Sequence, residues 1–286
     1  MPIDYERLRN WQFQDVERIL TTRDTMLYAL GIGVGNDPVD PKQLRFVYEE
    51  NLVALPTMAT VIAGPGFWLR DPRTGVDWVN VLHGEQSVTL HEVLPPEGRI
   101  IGRTRVVDVI DKGPDKGAVI MTERELFNAD RGAKIATLSS TTLARKDGGF
   151  GGPRGPTAPP HAIPDRAADV ICDLPTLPQA ALIFRLSGDY NPLHADPDLA
   201  RRAGYQAPIL HGLCTFGVAG HAILRTVCDY QADRLAFMQA RFSAPLYPGE
   251  TVRAEIWCDG ADLSFRARSL HRDVIVLNNG RARLRV

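Results

Sequence analysis

Asp189, Asn191 and His194 place a carboxylate, an amide and an imidazole in one short stretch, Phe184-Arg185-Leu186-Ser187-Gly188-Asp189-Tyr190-Asn191-Pro192-Leu193-His194. Gly188 and Pro192 punctuate it, and short Asp and Asn side chains bond nearby backbone, so the stretch reads as a loop. A loop can turn both Asp189 and His194 toward one point. A carboxylate and an imidazole with an ordinary pKa near 6.5 can together orient and activate one water, and positioned acid–base groups contribute about a hundredfold to ten-thousandfold. An Asp–His pair by itself is more often structural than catalytic. Pro208-Ile209-Leu210-His211-Gly212-Leu213 follows at short range and adds a second feature. Gly212 stands where a long helix should begin, so its N–H has no partner inside the helix and lies at the positive end of the helix dipole. With no side chain, Gly212 lets a carbonyl oxygen approach, and one such donor is worth about 3–4 kcal/mol where charge develops on that oxygen. The implied substrate is a carbonyl compound that becomes enolate-like.

Other chemistries fit less well. Asp189-x-Asn191 resembles the start of a calcium loop, but His194 stands at the sixth position in place of Gly and Ala200 at the twelfth in place of Glu. A zinc site needs a third ligand at suitable spacing, and His194, His211 and His221 form no His-x-x-x-His pair, so no metal is expected. No Gly-x-Ser-x-Gly nucleophile elbow is present. The run Gly31-Ile32-Gly33-Val34-Gly35-Asn36 has Asn where a dinucleotide fingerprint requires Gly, and reads as a loop.

The elements that must position these groups form two halves. In the first, Asp24 to Leu30 reads as a helix or buried segment. Leu52 to Ala63 suits a buried helix that Gly64-Pro65-Gly66 ends, and strands follow at 79–93, 100–109, 118–128 and 134–144. Gly148-Gly149-Phe150-Gly151-Gly152-Pro153 opens a Gly/Pro-rich linker that lacks the Lys-Ser/Thr ending of a phosphate loop. After it the order repeats, with helices at 199–203 and 212–227 and strands at 236–244, 251–257, 263–270 and 274–283. Pro56 and Pro96 are 40 residues apart, as are Pro208 and Pro248, and each pair flanks the same succession of helix and turn. Repetition at a domain-sized period argues duplication, with the polar cluster in the second copy alone. The expected class is α+β: residues 1–146 and 164–286 each form a curved antiparallel sheet on a buried helix, joined by the linker 147–163.

At 286 residues the chain is long enough for two modest domains with a sizeable core. Lys plus Arg at 33 against Asp plus Glu at 34 gives no overall charge to favour nucleic acid or a membrane surface. Cys172, Cys214, Cys228 and Cys258 have neither metal-site spacing nor disulfide-scaffold density, so reduced thiols are expected. The opening Met1-Pro2-Ile3-Asp4-Tyr5-Glu6 has no signal-peptide pattern, no apolar run approaches a membrane span, and Arg283-Leu284-Arg285-Val286 spells no Ser-Lys-Leu type address. A cytoplasmic location is the expectation.

The stretches 184–194 and Pro208-Ile209-Leu210-His211-Gly212-Leu213-Cys214-Thr215-Phe216-Gly217 resemble the signature of the R-specific, type 2 or MaoC-like, enoyl-CoA hydratases. Tyr28-Ala29-Leu30-Gly31-Ile32-Gly33, Val81-Leu82-His83-Gly84-Glu85-Gln86, Val109-Ile110-Asp111-Lys112-Gly113 and Gly148-Gly149-Phe150-Gly151-Gly152 extend the resemblance to the two-domain hydratase unit of peroxisomal multifunctional enzymes. The resemblance implies a double hot-dog fold and reversible syn hydration of a trans-2-enoyl-CoA to a (3R)-3-hydroxyacyl-CoA, with no cofactor. It implies that Asp189 and His194 hold the water, that Gly212 N–H polarises the thioester carbonyl and that Asn191 helps fix the site. By the same resemblance His83, Gly84, Lys112 and Phe242 contact the CoA thioester and Glu49 matches a glutamate implicated in activity. The first half then houses the acyl tail, which favours medium, long or bulky chains, and a homodimer is expected. A hot-dog thioesterase, directing water at C1 and releasing free thiol, is the rival enzyme. A non-catalytic acyl-CoA-binding protein is the rival outside enzymology.

Overall fold

The computed structural model describes residues 2–285. The first half begins with α1 (Tyr5–Arg9), β1 (Val16–Leu20), α2 (Thr22–Gly31) and α3 (Pro41–Leu44). Thr21 and Asp24 close a reciprocal capping box on α2. Gly33 and Gly35, at φ +84° and +86°, turn the chain away after α2, so the glycine run is a turn. The long strands β2 (Val81–Leu90), β3 (Gly98–Asp111), β4 (Ala118–Asn128) and β5 (Lys134–Ala144) follow. The second half repeats the plan with β6 (Val170–Pro175), α4 (Ala180–Phe184), α5 (Pro197–Arg202) and α6 (Gly212–Thr226), and then β7 (Leu235–Phe242), β8 (Thr251–Asp259), β9 (Asp262–Ser269) and β10 (Val274–Leu284).

The strands form one ten-stranded sheet in the order β1-β3-β4-β5-β2-β7-β10-β9-β8-β6. Ranked by chain order within its own half, each set of five reads 1-3-4-5-2 from outer edge to seam. Identical order in both halves is what duplication of one unit produces. The halves meet where β2 pairs antiparallel with β7, from Glu85 opposite Arg241 to Thr89 opposite Phe237. The sequence pattern gives four strands per half; the fifth in each is the short outer strand, β1 or β6. Charged residues such as Glu17, Arg18 and Asp173 blunt these edges and break the apolar pattern by which a strand is recognised.

In the second half the sheet wraps α6, whose residues from Cys214 to Leu224 are all buried. Its counterpart in the first half is the 3-10 turn Pro56–Val61, six residues long, in place of the helix expected over 52–63. Ala63 at φ +46° and the following Gly64-Pro65-Gly66 stop it. Each half is therefore a hot-dog, a sheet around a helix, with the first helix cut short. One apolar core runs across the seam, and a smaller cluster that includes Leu8, Leu69, Val106 and Ile120 sits at one end of the first half.

The linker is anchored by Asp111. Its carboxylate accepts N–H bonds from Gly113, Gly149 and Gly151 at 2.8, 2.7 and 2.9 Å. Burial pushes this carboxyl's pKa up, but the three backbone donors, with Arg154 nearby, outweigh it and hold the group below its ordinary value. Among the described residues no helix is long and apolar enough to cross a membrane.

Candidate active site

The loop between α4 and α5 carries the polar cluster. Asp189 is half-buried and its Oδ1 accepts the Asn191 N–H at 3.1 Å. Asn191 in turn caps the short 3-10 turn Pro192–His194, its side chain accepting the Leu193 N–H at 3.1 Å. Asn191 thus holds the turn that presents His194. The His194 ring is buried, and its Nδ1 lies 2.8 Å from the Ile209 carbonyl oxygen. A carbonyl only accepts, so Nδ1 carries the hydrogen and Nε2 keeps its lone pair. Burial pulls the His194 pKa down, as does the Arg185 guanidinium, against the raising effects of the Ile209 carbonyl and the Asp189 carboxylate. His194 is therefore a neutral ring at neutral pH, able to take a proton.

His211 completes the cluster. Its ring stacks on His194 with centroids 3.7 Å apart, and its Nε2 donates to the Asp189 backbone carbonyl at 3.1 Å. Burial, and next the neighbouring His194, push its pKa down to about 4. The ligand-type atoms of Asp189, His194 and His211 lie within 4.8 Å of one another, a three-donor cluster that sequence spacing did not reveal. The ring planes are 29° apart, and one nitrogen of each ring, His194 Nδ1 and His211 Nε2, is taken up by a backbone carbonyl.

α1, α2, α3 and α5 have Asp or Thr side chains capping their first amides, whereas α6 has none. The leading N–H groups of α6 are left as donors, and Gly212 lines a cavity of about 970 Å³ that also takes in Asp189, Asn191, His194, His83 and Phe242. A Cβ at position 212 would sit 3.0 and 3.1 Å from two ring carbons of Phe242, so a side chain here would press that ring aside by a few tenths of an ångström. The His83 ring, 4.6 Å from that of Phe242, forms the facing wall, and its Nε2 is 3.0 Å from the Ser140 hydroxyl. Burial lowers the His83 pKa to about 4, so this ring is also neutral.

Three of the residues singled out by resemblance do not line this cavity. Gly84 follows His83 in β2, so alternation sets it on the opposite face, where an added Cβ would meet Leu143 and the Thr141 carbonyl. Lys112 lies outside the cavity with Nζ bonded to the Gly155 carbonyl at 2.8 Å, and Glu49 is exposed on the turn after α3. The local motifs match, and the fold sets these residues outside the cavity that holds the polar cluster.

With this geometry in place, relatives can be compared. Residues 19–146 match the MFE-2 hydratase 2 N-terminal domain, and residues 160–279 match the MaoC like domain. The chain is 41% identical to enoyl-CoA hydratase ChsH3 of Mycobacterium tuberculosis, over 98% of both chains. It belongs to the two-domain MaoC-like hydratase family. It is also 36% identical to a probable enoyl-CoA hydratase 2 of Dictyostelium discoideum, over 98% of this chain and 96% of that one. A MaoC-like dehydratase from Phytophthora capsici superposes with a TM-score of 0.85 at 29% identity, covering 99% of this chain and 98% of the other. In this MaoC-like hydratase, sequence reading singled out Asp189, His194 and Gly212 but assigned no role to His211 or Ser140. His211 stood beside Gly212 in the motif, and its proximity was the signal available. Ser140 lies in β5 with nothing local to mark it.

Proposed function

We propose that this protein hydrates trans-2-enoyl-CoA reversibly and syn to the (3R)-3-hydroxyacyl-CoA. The observation that carries the reading is one cavity in which a neutral His194 with a free Nε2, the Asp189 carboxylate and the uncapped start of α6 at Gly212 face the same space. A thioester oxygen at the Gly212 N–H draws electron density from C3 through the conjugated double bond. Asp189 and His194 hold a water, and its oxygen bonds to C3 as His194 Nε2 takes one proton. The C2–C3 π electrons move toward the thioester, leaving enolate charge on the oxygen at Gly212. The imidazolium, stabilised by Asp189, then returns the proton to C2 on the same face, and neutral His194 is regenerated. No cofactor enters this cycle, and CoA is part of the substrate.

His83 and Phe242, packed together beside Gly212, contact the thioester on this reading. Lys112, Gly84 and Glu49 act on the CoA from outside the cavity. The shortened first-half helix leaves room for a medium, long or bulky acyl tail. We also propose a homodimer in the cytoplasm. Exposed Leu82 and Leu143, paired across β2 and β5, offer an apolar surface to a second copy, and the free thiols suit a reducing compartment. The test is to follow loss of enoyl-thioester absorbance and then determine product chirality. An S product, or release of free CoA thiol without hydration, overturns the reading.

A further inference from the structure

The space left by the missing first-half helix has apolar walls, among them Val61, Phe67, Trp68 and Leu69, but it also carries a polar band. On the inner face of the first-half sheet, Thr104, Thr122, Arg124, Ser140, Thr142 and Gln86 all border the cavity. They form one band, with Thr104 opposite Arg124, Thr122 opposite Ser140, and Ser140 opposite Gln86 in adjacent strands. Apolar residues bound the band on both sides, Leu126, Leu138 and Val88 in the main core and Val106, Ile120 and Ala144 in the smaller cluster. The second half shows what the duplicated unit carries when its helix is present. There the inner positions of β8 and β9 are Val252, Ala254, Ile256, Leu263, Phe265 and Ala267, all buried and apolar. Loss of the helix in the first half therefore goes with a polar band across a sheet face that is otherwise apolar.

Arg124 supplies the one formal charge in this band. Its neighbours in β4, Glu123 and Glu125, point outward to Arg105 and Lys134, whereas Arg124 points in and has no carboxylate partner among the described residues. One guanidinium nitrogen donates to the Thr60 carbonyl at 2.6 Å, at the end of the 3-10 turn. Its Nε is buried with no hydrogen-bond partner. Burial lowers the pKa to about 10, so the group is a cation at neutral pH. A desolvated cation with an open donor costs stability unless an anion or acceptor joins it.

β4 lies two strands from β2, which carries His83, and Arg124 is level with Val88, five residues along β2 from His83. At about 4.8 Å per strand and 3.3 Å per residue, the Arg124 backbone lies on the order of 19 Å along the sheet from that of His83, and the long Arg side chain spans part of that gap, a distance suited to the far end of an acyl tail. Resting on the hydratase reading, we infer that Arg124 and the hydroxyl band bind a carboxylate at the distal end of the acyl chain, making enoyl-CoAs of α,ω-dicarboxylic acids the preferred substrates.

The test compares kcat/KM for two medium-chain trans-2-enoyl-CoAs of equal length, one ending in methyl and one in carboxylate, with wild type, Arg124→Met and Arg124→Lys. The expected result is at least a tenfold preference of wild type for the carboxylate end, lost in Arg124→Met and partly kept in Arg124→Lys. Equal or better turnover of the methyl-ended substrate by wild type overturns the inference, as does an unchanged ratio in folded Arg124→Met. If Arg124→Met does not fold, the wild-type ratio and Arg124→Lys decide. Absence of hydration of both substrates by wild type refutes the hydratase reading instead.

Discussion

His194→Asn separates the two jobs of the His194 ring. The Asn side-chain N–H can take the place of Nδ1–H, so the 2.8 Å bond to the Ile209 carbonyl is retained. Only the Nε2 base is removed. Stability should fall by about 1 kcal/mol, the size of a small cavity beside the His211 ring. Removing the proton acceptor should lower kcat/KM by about 10²–10⁴, or roughly 2.7–5.4 kcal/mol of transition-state stabilisation. His194→Gln provides the contrast: it puts an amide near Nε2 but leaves the Ile209 carbonyl without its donor, so the same loss of activity comes with a further cost of about 1–3 kcal/mol in stability. Because burial lowers the His194 pKa from 6.5, the ring protonates only below that pH, and the acid limb of wild-type kcat/KM should lie below 6.5 and vanish in His194→Asn. Enoyl-thioester absorbance across pH, alongside urea denaturation, measures both quantities. A folded His194→Asn variant within threefold of wild type, or an acid limb centred above 6.5, would refute His194 as the base.

Asp189→Asn keeps an oxygen for the Asn191 N–H and should leave the melting temperature nearly unchanged while lowering kcat about a hundredfold or more; a near-normal kcat would remove Asp189 from the chemistry. Gly212→Ala forces a Cβ to 3.0 Å from the Phe242 ring, so the ring and the carbonyl site must shift. Turnover should fall by about ten- to a thousandfold with little change in stability, and unaltered kinetics would place the thioester oxygen elsewhere. Asp111→Asn should cost about 2–3 kcal/mol by weakening three glycine N–H bonds, one in the turn after β3 and two in the linker, read as a lower urea midpoint with active-site kinetics intact. The folded Asp111 pKa is lowered, so its contribution is present above the ordinary carboxylate range and lost as pH falls through the folded value. The stability gap between wild type and Asp111→Asn should therefore narrow in acid, and a gap that is constant with pH would contradict this role.

The polar cluster was legible in the sequence because it is local. Asp189, Asn191 and His194 lie within one turn-rich loop and Gly212 begins a helix whose apolar run is unmistakable, so residue type and spacing alone selected them. The duplication was legible too, because two copies of one order of helix, turn and strand repeat along the chain. Tertiary structure decided what depends on neighbours distant in sequence. Ile209 fixes which nitrogen of His194 is free, and His211 stacks on it through a contact that no spacing rule encodes. Lys112 and Glu49 match by local motif, yet the fold turns both away from the cavity. Nothing in the local sequence of β4 marks Arg124, which stands between Glu123 and Glu125. Only the sheet's curvature around a helix that is cut short gives that side chain an interior to face, and without the pairing of β3, β4 and β5 the hydroxyls around it are scattered residues.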